Sequence, residues 1–391
     1  MDLHMTHTQK YSTPPPISIQ AILLGLAGIL AVSQALAGQT GSKPEPDVLL
    51  FVNGEKLIGH LERATDKTVT FKSDMAGEVT VDWSKVKELH SSQPFAVVPK
   101  NVTLHTHQDT SNIPQGTVSM ADQKLDINPG GGKPPQTVAV GDAAHVVDQP
   151  SFQKAVTESP GLLRDWNGSI TGGASLVQAT QNSRTFTGGF SLARTIPTQD
   201  WLSPRNRTTI DFTASYGKVT APSTPAIKTE IYHADAERDE YLSSRVFAFG
   251  ALAFDHNVSQ GLDLQQTYGG GIGWTVLKDA RQELDLKASA NYIRQSFQDP
   301  TNNQNLVGST FGENYNRNLP HGILFAEALT FTPAWNNTNA YSAVGSAALT
   351  IPAYKRLNVT VGTVDMFLNN PPAGFKKNSF QFTTGLTYLL R

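Results

Sequence analysis

Cysteine is absent from all 391 residues. Its absence excludes disulfides, thiolate metal sites and a lipid-modified N-terminal cysteine together. Charge is scarce as well: Asp, Glu, Lys and Arg make up 16% of the chain and the formal net charge is -2, which argues against nucleic acid or an anionic membrane surface as the main partner. Beyond Val32 no stretch approaches the length of apolar sequence that a membrane-crossing helix needs, so a mature chain that enters a membrane must do so with strands. Catalytic signatures are missing too. There is no G-x-S-x-G elbow, P-loop, H-E-x-x-H or dinucleotide fingerprint, so neither enzymatic activity nor a cofactor is expected.

The one long apolar run, Ile17 to Val32, follows Lys10 and the breaker Pro14-Pro15-Pro16 and precedes Ala35-Leu36-Ala37. A small-x-small triplet after such a run is a cleavage signature, and residues 1–37 read as an export signal. The alternative, a retained membrane anchor, calls for roughly 20 apolar residues.

Residues 47–91 alternate in short runs separated by turn pairs at Asn53-Gly54, Thr65-Asp66 and Ala76-Gly77. Val48, Leu50, Leu57, Leu61, Val69, Phe71, Val79, Val81 and Val86 are the expected core of a strongly bent small barrel of the Sm or SH3 kind. Such a core is marginal alone and is expected to lean on an extension with strand-like runs at Asn101 to His107, Gly116 to Ile127 and Gln136 to Val140. The resulting small β-domain covers 47–147, and 148–164 reads as a linker.

From Trp166 the alternation is sustained. In Glu283 to Tyr292, Leu284, Leu286, Ala288, Ala290 and Tyr292 oppose Glu283, Asp285, Lys287, Ser289 and Asn291, a period of two that no helix satisfies. About twelve such segments follow one another, starting near Trp166, Thr185, Arg207, Glu230, Arg245, Gln265, Glu283, Leu306, Gly322, Tyr341, Leu357 and Phe380. Short connections after the fourth, sixth, eighth and tenth alternate with longer ones, as in a transmembrane barrel with tight periplasmic turns and long outer loops. The connection Pro197 to Asn206 breaks this rule, being long where a short turn is due. A soluble sandwich does not predict alternating loop lengths. The fold class expected is all-β, an antiparallel transmembrane barrel of about 12 strands over residues 165–391 behind the small N-terminal domain.

Period two also assigns faces. Asp211, His233, Asp235, Glu237, Glu283, Asp285 and Lys287 belong to the polar set, which must line the lumen because charge on the lipid face is costly. Lys287 and Arg245 are expected to neutralise part of this acidic stripe by pairing across the barrel, which leaves a salt-bridged plug and an open pore as equal alternatives. The chain closes on SFQFTTGLTYLLR, where Phe380, Phe382, Thr384, Leu386, Tyr388 and Leu390 oppose Gln381, Thr383, Gly385 and Thr387. Thr383, Gly385, Tyr388 and Leu390 stand where the barrel assembly machinery of Gram-negative bacteria reads a terminal strand, and Arg391 departs from the usual aromatic end.

Smaller features read as follows. Gly269-Gly270-Gly271-Ile272-Gly273 is more consistent with relief of crowding inside a strand than with a phosphate loop. His105, His107 and Asp109 would share one face of a strand, a spacing able to offer two imidazoles and a carboxylate, yet no further ligand is identifiable and no metal is expected. Trp166, Trp201, Trp274, Trp335, Tyr216, Tyr241, Tyr292, Tyr341 and Tyr388 fall near segment ends, where interfacial aromatic girdles belong.

The runs RDWNGSITGGASL (Arg164 to Leu176) and AERDEYLSSRVFAFGALAFDHNVSQGLDLQQTYGGGIGWTVL (Ala236 to Leu277) resemble the YdiY-like proteins of Gram-negative bacteria, the DUF481 family, often called salt-induced outer membrane proteins. VNGEKLIGHL and AGEVTVDWSKV are similar to the small β-module that often precedes this barrel. The resemblance implies an outer-membrane address with the N-terminal domain in the periplasm, and no defined activity. The function expected is a non-enzymatic barrel, structural or weakly pore-forming, whose partners are outer-membrane lipid, the assembly machinery and small solutes or ions. The alternatives are an outer-membrane hydrolase, for which only His256 and Ser259 present themselves, and a soluble periplasmic β-rich binding protein.

Overall fold

The structure, a computed structural model, describes residues 45–178, 182–221 and 225–390. The expected export signal and Arg391 lie outside these residues. Asp47–Arg391 forms one compact unit. No helix among the described residues is long and apolar enough to cross a membrane.

The N-terminal module is an antiparallel sheet of β1 (Asp47–Phe51), β2 (Lys56–Thr65), β3 (Thr68–Ser73), β4 (Gly77–Asp82), β5 (Val86–Pro99), β6 (Gln115–Ala121), β7 (Lys124–Asn128), β8 (Gln136–Ala139) and β9 (Ala143–Asp148), in the order β4-β3-β2-β1-β5-β6-β7-β8, with β9 folding back onto β2 and β5. Gly54 and Gly77 take the left-handed conformation that the tight turns before β2 and β4 require (φ 88° and 72°). A small barrel therefore forms as expected, but its facing differs in β1. Leu49, not Val48 or Leu50, is fully buried. Asp47 lies on the same face, and its carboxylate accepts from the Leu61 amide (2.7 Å) and from the Ser92 amide (2.8 Å) and hydroxyl (3.1 Å). A carboxylate so supplied is accommodated in a core, and it sets the register of the edge. Phe71, Trp83, Phe95, Met120, Leu125 and Ile127 belong to one cluster with Leu49, so the residues after 91 complete the core.

Two readings of the extension are corrected. Asn101 to His107 is not a strand: the chain turns there and His107 is left-handed (φ 61°). The expected linker begins as a helix, α1 (Gln149–Thr157), capped by Asp148, whose carboxylate accepts from the Ser151 amide at 3.0 Å. Helix α1 buries Phe152 and Val156 against Ala96, Val98, Leu104 and Ile113.

Twelve strands then close a barrel: β10 (Asn167–Gln178), β11 (Asn182–Ile196), β12 (Asn206–Thr220), β13 (Ile227–Tyr241), β14 (Val246–Asn257), β15 (Leu262–Lys278), β16 (Gln282–Phe297), β17 (Gln304–Asn318), β18 (Leu324–Thr332), β19 (Ser342–Tyr354), β20 (Leu357–Leu368) and β21 (Asn378–Leu390). Each pairs antiparallel with the next, and Gly168 to Gly172 of β10 pair with Leu386 to Leu390 of β21 to seal the sheet. The lengths exceed or meet the 9 to 11 residues, roughly, that a tilted membrane strand needs.

The irregular connection at 197–205 is where the module docks. Trp201 stacks on Phe152 of α1 (centroids 5.3 Å apart), Leu202 is buried in the same cluster, and the Ser203 amide donates to the Leu104 carbonyl at 2.9 Å. The segment between α1 and β10 is fixed from the other side by Arg194 of β11. Its guanidinium, 5% exposed, donates to the carbonyls of Pro160 (3.1 Å), Gly161 (3.0 Å) and Arg164 (2.8 Å). Trp201 is thus an anchor for the module and not part of a girdle.

Candidate functional site

The barrel turns apolar side chains outward on nearly every strand. Ile170, Phe186, Phe190, Leu252, Ile272, Trp274, Leu286, Tyr292, Phe311, Leu329, Phe331, Leu349, Phe380, Phe382, Leu386 and Tyr388 are all more than a third exposed on this surface. Apolar surface of this extent, interrupted at Glu313 between Leu286 and Leu329, is far beyond what a water-soluble monomer presents. One of the expected girdle residues lies elsewhere: Tyr241 packs inward against Phe247 (5.3 Å), whereas Tyr341 lies between Phe331 and Phe367 of the outer face (6.1 and 5.9 Å).

The inward set is polar, and the register explains how it assembles. Across β12 and β13 the facing pairs are Arg207 with Asp239, Thr209 with Glu237, Asp211 with Asp235 and Thr213 with His233. From β13 to β14, His233 faces Asp255. From β15 to β16, Gly273 faces Lys287 and Thr275 faces Asp285. All seven expected lumen residues, Asp211, His233, Asp235, Glu237, Glu283, Asp285 and Lys287, therefore stand on the interior wall formed by β12 to β16.

Two cations reach across that interior. Arg207 donates from Nε to Asp239 (2.7 Å), from Nη1 to Glu283 (3.0 Å) and from Nη2 to Asp285 (2.6 Å), joining strands four places apart. Lys287 binds both oxygens of Glu237 at 2.6 and 2.8 Å. Each cation also lies over an aromatic ring, Arg207 over Phe247 at 5.2 Å and Lys287 over Phe249 at 5.6 Å. Gly273 lacks the Cβ that would strike the Phe247 ring, and Gly269 the one that would strike the Asn291 side chain. The glycine run thus makes room for interior side chains. The expected partner Arg245 takes no part: it sits in the turn after β13 with its guanidinium on the Val276 carbonyl. The residues sequence reasoning passed over are Arg207, Asp239 as a partner, and Asp255. Arg207 shares the parity of Asp211, which was the available signal.

Toward the opposite end the wall becomes amide-rich. His233 presents Nδ1 to Asp255 (2.6 Å) and Nε2 to Asp235 (3.0 Å), an arrangement that two N–H donors satisfy. Asp255 then accepts from Gln265, Gln265 from Gln295, Gln295 from Gln304 and Gln304 from Asn337, at 3.1, 2.7, 2.7 and 3.2 Å. Beyond this belt the connection 258–261 crosses the mouth. Gln260, 3% exposed, donates to the carbonyls of Met366 (3.0 Å) on β20 and Lys377 (2.9 Å), half the circumference away, and the Phe375 ring rests on Gly261. Leu262, Phe297 and Leu368 pack beneath. Among the described residues the facing wall carries no comparable charge: Thr171, Thr387, Thr360 and Thr350 link their hydroxyls at 2.8, 2.6 and 3.3 Å across the closing seam.

The other candidate residues disperse. His107 Nε2 meets Ser159 Oγ at 3.1 Å, while Asp109 accepts from the amide and hydroxyl of Ser111 (2.9 and 3.0 Å), which holds its carboxyl below the usual range. The shared strand face expected for His105, His107 and Asp109 does not form. His256 contacts the Asp263 carbonyl at 2.6 Å and stacks on Tyr232, and the Ser259 amide donates to Asn257 Oδ1. In the terminal strand Tyr388 faces outward while Thr383, Gly385 and Thr387 face inward.

A closed antiparallel barrel, apolar outside and hydrogen-bonded inside, is a transmembrane β-barrel. The chain belongs to the DUF481 family: residues 170–389, more than half of its length, match the family described as "Protein of unknown function, DUF481". No curated protein matches it. Among solved structures it is similar to the COG4313 outer membrane channel from Pseudomonas putida F1 (11% identity, TM-score 0.35, covering 60% of this chain and 100% of that one). It is also similar to the NanC porin (8%, 0.33, 57% and 100%) and to the translocator domain of the autotransporter NalP from Neisseria meningitidis (8%, 0.31, 57% and 86%).

Proposed function

We propose that this protein is a non-enzymatic barrel of the outer membrane, with its N-terminal module in the periplasm, and that its lumen passes small cations at low conductance. One observation carries the reading. The interior wall sets the carboxylates of Asp211, Asp235, Glu237, Asp239, Asp255, Glu283 and Asp285 against the fixed cations Arg207 and Lys287 and the imidazole of His233. A water-filled lumen with such a wall concentrates cations and excludes anions. The chords across the interior and the Gln260 crossing support a low conductance. The terminal strand, with Thr383, Gly385, Tyr388 and Leu390, is the segment offered to the assembly machinery, and lipid covers the outer band. The soluble alternative would leave that band in water, and the hydrolase alternative would need the His256 imidazole on the Ser259 hydroxyl, whereas His256 Nδ1 is turned to the Asp263 carbonyl.

Planar bilayers under a salt gradient test this. The wild-type chain is expected to give small openings with a cation-selective reversal potential, and Gln260→Gly to enlarge them. Silence in both proteins would remove the pore, and an anion-selective reversal would overturn the reading of the wall.

A further inference from the structure

At the end of the barrel away from the module, β11, β12 and β13 place Arg184, Lys218 and Lys228 directly opposite one another in a single cross-strand row. The row faces outward, because Phe186, in the next row on the same face with Tyr216 and Glu230, belongs to the exposed band. Neighbouring strands are about 4.8 Å apart, so three cations occupy roughly 10 Å. Like charges facing one another across strands destabilise a sheet unless something compensates them. Internal compensation is slight: Glu230 approaches Lys228 only to 4.0 Å, with more than half of the Lys228 side chain exposed. The connections 179–181 and 221–226 contain no Asp or Glu.

We propose that this row binds phosphate groups of an anionic lipid headgroup in the outer leaflet. The inference rests on the outer-membrane reading above, which puts this end of the barrel at the cell surface. Position and chemistry agree. The cations stand immediately above the last aromatic pair of the apolar band, at headgroup height, and the arginine fork takes phosphate oxygens in pairs while the lysines supply point charges. Lipid is the source because the row lies on the face that lipid covers, not in the lumen or on a loop.

Native mass spectrometry of the full chain in detergent tests it, with bis-phosphorylated lipid A as probe. The wild type is expected to retain the lipid, and Arg184→Gln/Lys218→Gln/Lys228→Gln to weaken retention by on the order of 100-fold. Dephosphorylated lipid A should not be retained, and millimolar inorganic phosphate should not displace the intact lipid. Arg238→Gln, outward at the other rim and paired with Glu240 at 2.8 Å, controls for charge loss alone. Equal retention by the triple variant, indifference to dephosphorylation, or displacement by inorganic phosphate would each overturn the site. A wild-type chain that fails to migrate heat-modifiably and to integrate into liposomes would sink the membrane reading and this site with it, whereas loss of lipid discrimination in a normally integrated barrel sinks the site alone.

Discussion

Arg207 is 16% exposed in its side chain, and two of the three carboxylates on it, Asp239 and Asp285, are almost wholly buried at 2% and 4%. Removing a partner from a buried ionic cluster strands the remaining charges, which costs about 3 to 5 kcal/mol. Arg207→Met should therefore lower the stability of the folded barrel by that amount in urea unfolding from liposomes. Arg207→Lys should recover only part, since one ammonium cannot serve three carboxylates in the guanidinium's fork. Adding Asp239→Asn and Asp285→Asn to Arg207→Met should recover more, because the stranded charge goes with them. An unaffected Arg207→Met variant would mean that the cluster is solvated and not structural. The acidic members were legible because period two alone assigns a face. Their partner was not, since a chord from β12 to β16 exists only once the sheet has closed, and closure brings together residues that no local spacing relates.

At the scale of elements, the strands of the barrel were legible to within a few residues because each must be polar on one face and apolar on the other along its whole length. The module was less so. In β1, Val48 and Leu50 looked like core on hydropathy, yet three hydrogen bonds to Asp47 bury the opposite face. The connection 197–205 looked anomalous as a turn because its residues serve a different element, α1. That assignment predicts the effect of Trp201→Ala. Losing a fully buried Trp typically costs about 3 to 5 kcal/mol; Trp201 is only partly buried, so the cost here is smaller and is expressed as loosening of the module from the barrel rim. Limited proteolysis of the reconstituted protein should then cut faster within 158–166, with heat-modifiable migration of the barrel unchanged. Unaltered cleavage would show that Arg194 alone holds the segment.

The whole molecule is defined by one inversion: the face that a soluble protein would bury is outside, and charge is inside. The terminal strand tests it most directly, because adjacent residues there meet opposite surroundings. Thr387 faces the lumen but is 4% exposed, its hydroxyl between those of Thr171 and Thr360, so it reports seam packing as much as facing. Phe382, 63% exposed on the outer band, and its inward neighbour Gln381 form the cleaner pair. Arginine at mid-bilayer on the lipid face costs about 2 to 4 kcal/mol, whereas in a lumen rich in carboxylates it is solvated and meets opposite charge. Phe382→Arg should thus reduce the folded, heat-modifiable fraction in liposomes and lower its unfolding free energy by that amount, while Gln381→Arg should fold like the wild type and shift the reversal potential toward anions. Equal loss in the two variants would mean that both faces of β21 meet the same medium, which no membrane barrel allows.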